Sequence, residues 1–129
     1  MPLVRIDMVR GRSRADVRAV ADTVYEVMRE VFAAPEGDRY QVVHQHEPDE
    51  MIIDDTGLGI ERTDGVVVLQ VTQQGRDAGQ KQDFYRVLSE RLDDRGLVAP
   101  SDLVVTMTEN TREDWSFGHG RAQFLTGEL

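Results

Sequence analysis

No cysteine occurs in this chain, and its 129 residues include a single tryptophan and, at Lys81, a single lysine. Without thiols there is no disulfide, no cysteine nucleophile and no thiolate metal site. Lysine and arginine together number 15 against 24 acidic residues, a formal net charge of −9. A chain of that sign is a poor match for DNA or RNA, whose phosphates call for a basic surface. It can still take a small anion, because a few arginines create a local positive pocket inside an acidic protein. No apolar run approaches the roughly 20 residues that a membrane span needs. The start has no basic segment followed by an apolar core, so no secretory signal is expected and the cytoplasm is the expected location.

The pattern that is present fits one domain over residues 1–129. Val4, Ile6 and Met8 alternate, as in a strand over Leu3 to Val9. Ser13 then suits a helix cap, and Val17, Val20, Ala21, Val24, Val27, Met28 and Val31 recur at helical spacing over Arg14 to Phe32. "APEGDRY" breaks that helix, "YQVVHQHE" reads as a second strand and "EMIID" as a shorter extended piece. "VVVLQVT" is continuously apolar, which suggests a central strand covered on both faces. Asp77 and Gln80 form a capping pair for a second helix carrying Phe84, Leu88 and Leu92, with Gly96 as its stop. "LVVTMTEN" is the fourth strand. The order strand–helix–strand, twice, predicts an α+β fold. Two β-α-β units share a mixed four-stranded sheet with both helices on one face. The other face of such a sheet is left open, and this predicts an oligomer.

Several stretches carry candidate chemistry. "DTGLG" lacks the spacing and the Lys-Ser/Thr ending of a phosphate loop and reads as a turn. His44 and His46 share a strand face, but the sequence shows no third ligand beside them, so no metal site is expected. Asp54-Asp55 and Asp93-Asp94 read as solvated pairs. Asp38 stands at the junction of the first helix and the second strand, where a carboxyl serves either turn chemistry or acid–base catalysis. Arg76 follows the central strand and precedes a helix start, a favourable place to bind an anion. The tail "DWSFGHGRAQFLTGEL" sets Trp115, Phe117 and Phe124 among glycines, where aromatics either dock on the core or wall a pocket.

Taken together, "MPLVRID", "DRYQ", "PDEMIIDDTGLG" and the aromatic tail resemble the malonate semialdehyde decarboxylases of the tautomerase superfamily, in order and over nearly the whole chain. The resemblance implies a homotrimer that acts without cofactor on a small oxo or unsaturated carboxylic acid. It implies that Met1 is removed and that Pro2 becomes a catalytic amino-terminal amine with Asp38 beside it. It places substrate binding on Arg76 and Gln74, and a hydrophobic wall on Trp115, Phe117, Phe124 and Leu129. One position departs from the family pattern: Gln74-Gly75-Arg76 stands where the pattern has Arg-Pro-Arg, so one cation is replaced by a neutral amide. The implied reaction is decarboxylation of malonate semialdehyde to acetaldehyde and carbon dioxide, with hydration of unsaturated acids as a companion. A neutral Pro2 acting as base would instead give a keto–enol tautomerase of phenylpyruvate-type substrates. A small-acid-binding module without catalysis is the remaining alternative, since fold alone does not assign function.

Overall fold

The computed structural model describes residues 2–129. Four strands, β1 (Leu3–Val9), β2 (Tyr40–His46), β3 (Val67–Gln74) and β4 (Leu103–Asn110), form one sheet in the order β2-β1-β3-β4. β1 runs parallel to β2 and antiparallel to β3, and β3 runs parallel to β4. Helix α1 (Arg14–Phe32) joins the first parallel pair and α2 (Ala78–Asp94) the second. This is the expected doubled β-α-β architecture.

Strand periodicity explains the core. Alternate residues of a strand point to opposite faces, so Val4, Ile6 and Met8 of β1 and Val67, Leu69 and Val71 of β3 bury together, each no more than 1% exposed. Val20, Val24, Val27 and Met28 of α1 and Phe84, Leu88 and Leu92 of α2 close over them. Each such side chain contributes about 1.5–3 kcal/mol on removal from water. Phe32 stacks on Phe84 with ring centroids 5.0 Å apart and ties the end of α1 to α2. The opposite set on β3 behaves differently from the two-sided burial that its apolar run suggests. Val68 and Thr72 are half-buried and Gln70 is exposed, because no element among the described residues covers that face.

Local signals set the element ends. Ser13 Oγ accepts the Asp16 N–H and caps α1. At α2, Asp77 and Gln80 form a reciprocal capping box. Gly96, at φ +67°, turns the chain out of α2, and the Leu97 N–H reaches back to the Leu92 carbonyl. "EMIID" is not a strand: Pro48–Glu50 is a single 3₁₀ turn and no ladder follows before β3. That connection is held by side chains instead. Buried Asp102 accepts from the Thr63 N–H at 2.8 Å, and Arg12 donates to the Gly65 and Leu97 carbonyls. "DTGLG" is indeed a turn, with Asp55 accepting the N–H groups of Gly57 and Gly59.

A non-glycine residue held left-handed costs about 1–2 kcal/mol. Gly96→Ala should therefore lower stability by that amount in urea unfolding at fixed protein concentration, and an unchanged midpoint would contradict this account of the α2 stop.

Candidate active site

Sheet register brings the expected catalytic residues to one end of the molecule. Leu3 pairs with Tyr40 across the parallel ladder and with Thr72 across the antiparallel one. Continued by one residue, these registers set Pro2 level with Arg39 on one side and Gln73 on the other, with Asp38 one step beyond. Pro2 is buried and Asp38 is only 4% exposed.

Asp38 is delivered by a tight loop. Its N–H bonds the Pro35 carbonyl, and the Gly37 N–H bonds Tyr25 Oη of α1. The next residue, Arg39, is clamped by Asp22 at 2.6 Å and by Gln41 Oε1 at 2.8 Å, with its guanidinium over the Tyr25 ring. Burial pushes the Asp38 carboxyl above the usual aspartate range, while the positive charge of Arg76 pulls the other way without cancelling it. Arg76 is thus within electrostatic reach of Asp38. It is half-buried, lies over the Phe32 ring at 5.4 Å and donates through Nη1 to the carbonyls of Gln74 and Gly75.

Gln74 pairs with Asn110 at the far ends of β3 and β4. From there the tail crosses the sheet end. Trp115 Nε1 donates to Asn110 Oδ1, and Trp115 stacks on Phe117 at 5.3 Å. Phe117 meets Phe124 edge-on at 5.5 Å and meets Tyr40, at the start of β2, also at 5.5 Å. Gln123, in the one-turn helix α3 (Gln123–Thr126), accepts the Phe117 N–H and donates to the Gly118 carbonyl, which fixes the loop between the rings. Three aromatics of the tail therefore form a half-buried wall spanning from the β3–β4 end to the β1–β2 start. Leu129 is 59% exposed and stays at the surface of the single chain. The expected loss of Met1 concerns a residue outside those described.

Tyr25, Phe32, Tyr40, Asn110 and Gln123 position this end of the molecule and carry no sequence signal of their own; only the fold shows what they touch. Beside His44 and His46 stands a third group capable of ligation that the sequence did not reveal: Asp7 of β1, whose Oδ1 is 2.6 Å from His46 Nε2.

Two family models, both described as tautomerase enzymes, match residues 38–118 and 2–61. The chain belongs to the tautomerase family. Among curated proteins it is 49% identical, over the full length of both chains, to the probable tautomerase YrdN of Bacillus subtilis (strain 168). Among solved structures, a malonate semialdehyde decarboxylase described with decarboxylase and hydratase activities is 42% identical, with a TM-score of 0.94 over 98% of each chain. A malonate semialdehyde decarboxylase inhibited by 3-bromopropiolate is 44% identical, with a TM-score of 0.94 over 98% of this chain and 97% of that one. A fused 4-OT symmetric trimer, 17% identical with a TM-score of 0.74 over 92% of this chain and 95% of that one, shares the fold. This is a tautomerase-family fold resembling the malonate semialdehyde decarboxylases.

The raised Asp38 pKa has a stability consequence. Between the ordinary aspartate pKa of about 3.9 and the raised folded value, the unfolded chain gives up a proton that the folded chain keeps. The contribution of Asp38 to stability should fall as pH rises through that window and level off above it. Asp38→Asn should remove this slope, as read from urea midpoints taken from about pH 4 upward; an unchanged slope would place the titration elsewhere.

Proposed function

We propose that the chain is a cofactor-independent carbon–carbon lyase that decarboxylates a short 3-oxo acid such as malonate semialdehyde, with Pro2, freed of Met1, as its general acid. The observation that carries this reading is the buried Asp38 carboxyl at the sheet end where β1 begins, within reach of the Arg76 charge. The identity of 42–44% to malonate semialdehyde decarboxylases supports it. A carboxylate beside an amine favours the ammonium form. Pro2 then donates to the carbonyl oxygen of the substrate while Arg76 holds its carboxylate. The bond between the carboxylate carbon and its neighbour breaks, carbon dioxide departs, and the electron pair moves into an enol whose oxygen is stabilised by Pro2. Proton return to carbon gives acetaldehyde. Trp115, Phe117 and Phe124 present an apolar surface to the departing group.

The same groups support hydration: Asp38 activates water for addition to an unsaturated acid, and Pro2 supplies the proton. Gln74 in place of a second arginine removes a charge-assisted bond to the carboxylate, at a cost of about 1.5–3 kcal/mol, and shifts the balance among acids. Assembly as a homo-oligomer, a trimer as in the fused 4-OT relative, would cover the open sheet face and its exposed Leu3, Tyr40 and Val42. A second reading draws on the tautomerase name of the relative at 49% identity: a neutral Pro2 acting as base on phenylpyruvate-type keto–enol pairs.

Proton NMR of malonate semialdehyde with the Met1-processed protein separates the two. Acetaldehyde should form, and Pro2→Ala should slow it by about 10²–10⁴-fold. Arg76→Ala should raise KM by about 10–100-fold, the loss of one such bond. Turnover should fall as pH rises past the Pro2 pKa, because the acid form acts. Equal acetaldehyde from wild type and Pro2→Ala would defeat the mechanism, and phenylpyruvate turnover that falls toward low pH would favour the tautomerase.

A further inference from the structure

On the open face of the sheet, far along β1 and β2 from Pro2, stands a second group of chemistry-bearing side chains. Asp7 pairs directly with His44 across the parallel ladder, and His46 follows two residues on, so all three point to the same face. One ligand atom from each lies within 4.8 Å of the other two, and no other such group of three is found among the described residues. The two imidazoles stack with centroids 4.3 Å apart. The chain has three histidines and no cysteine, so two of its three nitrogen-donor side chains suited to a metal meet here.

This cluster already coordinates a cation. Arg5 donates through Nε and Nη2 to both oxygens of Asp7, at 2.9 and 3.1 Å, and Nη2 lies 3.1 Å from His44 Nδ1. A guanidinium only donates, so Nδ1 turns a lone pair toward positive charge. The carboxylate of Asp7 is partly sheltered, and the hydrogen bonds of Arg5 and His46 outweigh burial in holding it ionised.

From this geometry we infer that Asp7, His44 and His46 form a binding site for a divalent transition-metal cation of the zinc, copper or nickel type. Two imidazole nitrogens and one carboxylate oxygen suit those ions rather than magnesium or calcium, which prefer all-oxygen shells. Bonds of about 2.0–2.2 Å in a tetrahedral shell put ligand atoms about 3.3–3.6 Å apart. An ion would therefore part the 2.6 Å His46–Asp7 contact and draw the wider pairs inward. Water fills the fourth position. Arg5 must swing from both Asp7 and His44 and so acts as a built-in competitor. The site links β2 to β1 on the sheet face that the proposed assembly covers, so an ion held there would lie inside the oligomer. It is independent of the proposed decarboxylation.

Zinc titration of the chelator-treated full-length protein by calorimetry tests this. One ion should bind per chain. His44→Gln, His46→Gln and Asp7→Asn should each weaken binding at least ten-fold, Arg5→Ala should strengthen it, and His119→Gln should leave it unchanged. Circular dichroism confirms that each variant folds. With copper(II) as a second probe, electron paramagnetic resonance of the wild type should show coupling to two imidazole nitrogens. Absence of zinc binding, affinity insensitive to His44→Gln and His46→Gln, or loss in His119→Gln instead would overturn the site.

Discussion

The hydrogen bonding of β1 on both of its edges is the constraint from which the rest of the molecule follows. β1 is the strand that joins the two halves: parallel to β2 in its own β-α-β unit and antiparallel to β3 of the other. Its first residue is thereby fixed between the start of β2 and the end of β3. A chain terminus is ordinarily the least ordered part of a domain. Here Pro2, which immediately precedes β1, is buried, and the loop bearing Asp38 and the turn bearing Arg76 arrive on either side of it.

The electrostatics of that end run against the character of the whole. In a chain of net charge −9, one carboxyl is withdrawn from water and one arginine is set close to it. The Arg39 clamp on Asp22 and Gln41, with the Tyr25 hydroxyl on the neighbouring backbone, holds the Asp38 loop in place. The aromatic tail then borders the same end, two of its three aromatic residues braced by a polar partner nearby: Asn110 for Trp115 and Gln123 for the backbone of Phe117. Rigid placement matters because electrostatic catalysis depends on groups already oriented before the reaction begins. In the proposed chemistry the Pro2 amine is the group that these neighbours tune.

The fold was legible because its signals are local. Strand alternation in β1, the valine stripe of α1, the Asp77–Gln80 pair and Gly96 each determine an element without reference to distant residues. "EMIID" misled because its apolar residues suggest a strand, whereas Ile52 is exposed and the segment joins no ladder. The continuous run in β3 likewise predicted two covered faces, while a single chain covers only one. At the candidate site, Pro2, Asp38, Arg76 and the tail aromatics stood out through resemblance. Tyr25, Phe32 and Tyr40 did not, since a buried or stacked aromatic looks alike in any sequence. Asp7 escaped notice as a neighbour of His44 because their meeting depends on a parallel register between residues 37 positions apart.

The central claim is that the Pro2 amine, once exposed by loss of Met1, is held protonated by Asp38. Nitrogen-15 NMR of proline-labelled, Met1-processed protein reads this directly, because the amino-terminal nitrogen shifts on losing its proton. The account predicts a Pro2 amine that keeps its proton at neutral pH and whose pKa falls when Asp38 is replaced by asparagine. A Pro2 amine that is neutral at pH 7, or one indifferent to Asp38→Asn, would contradict it.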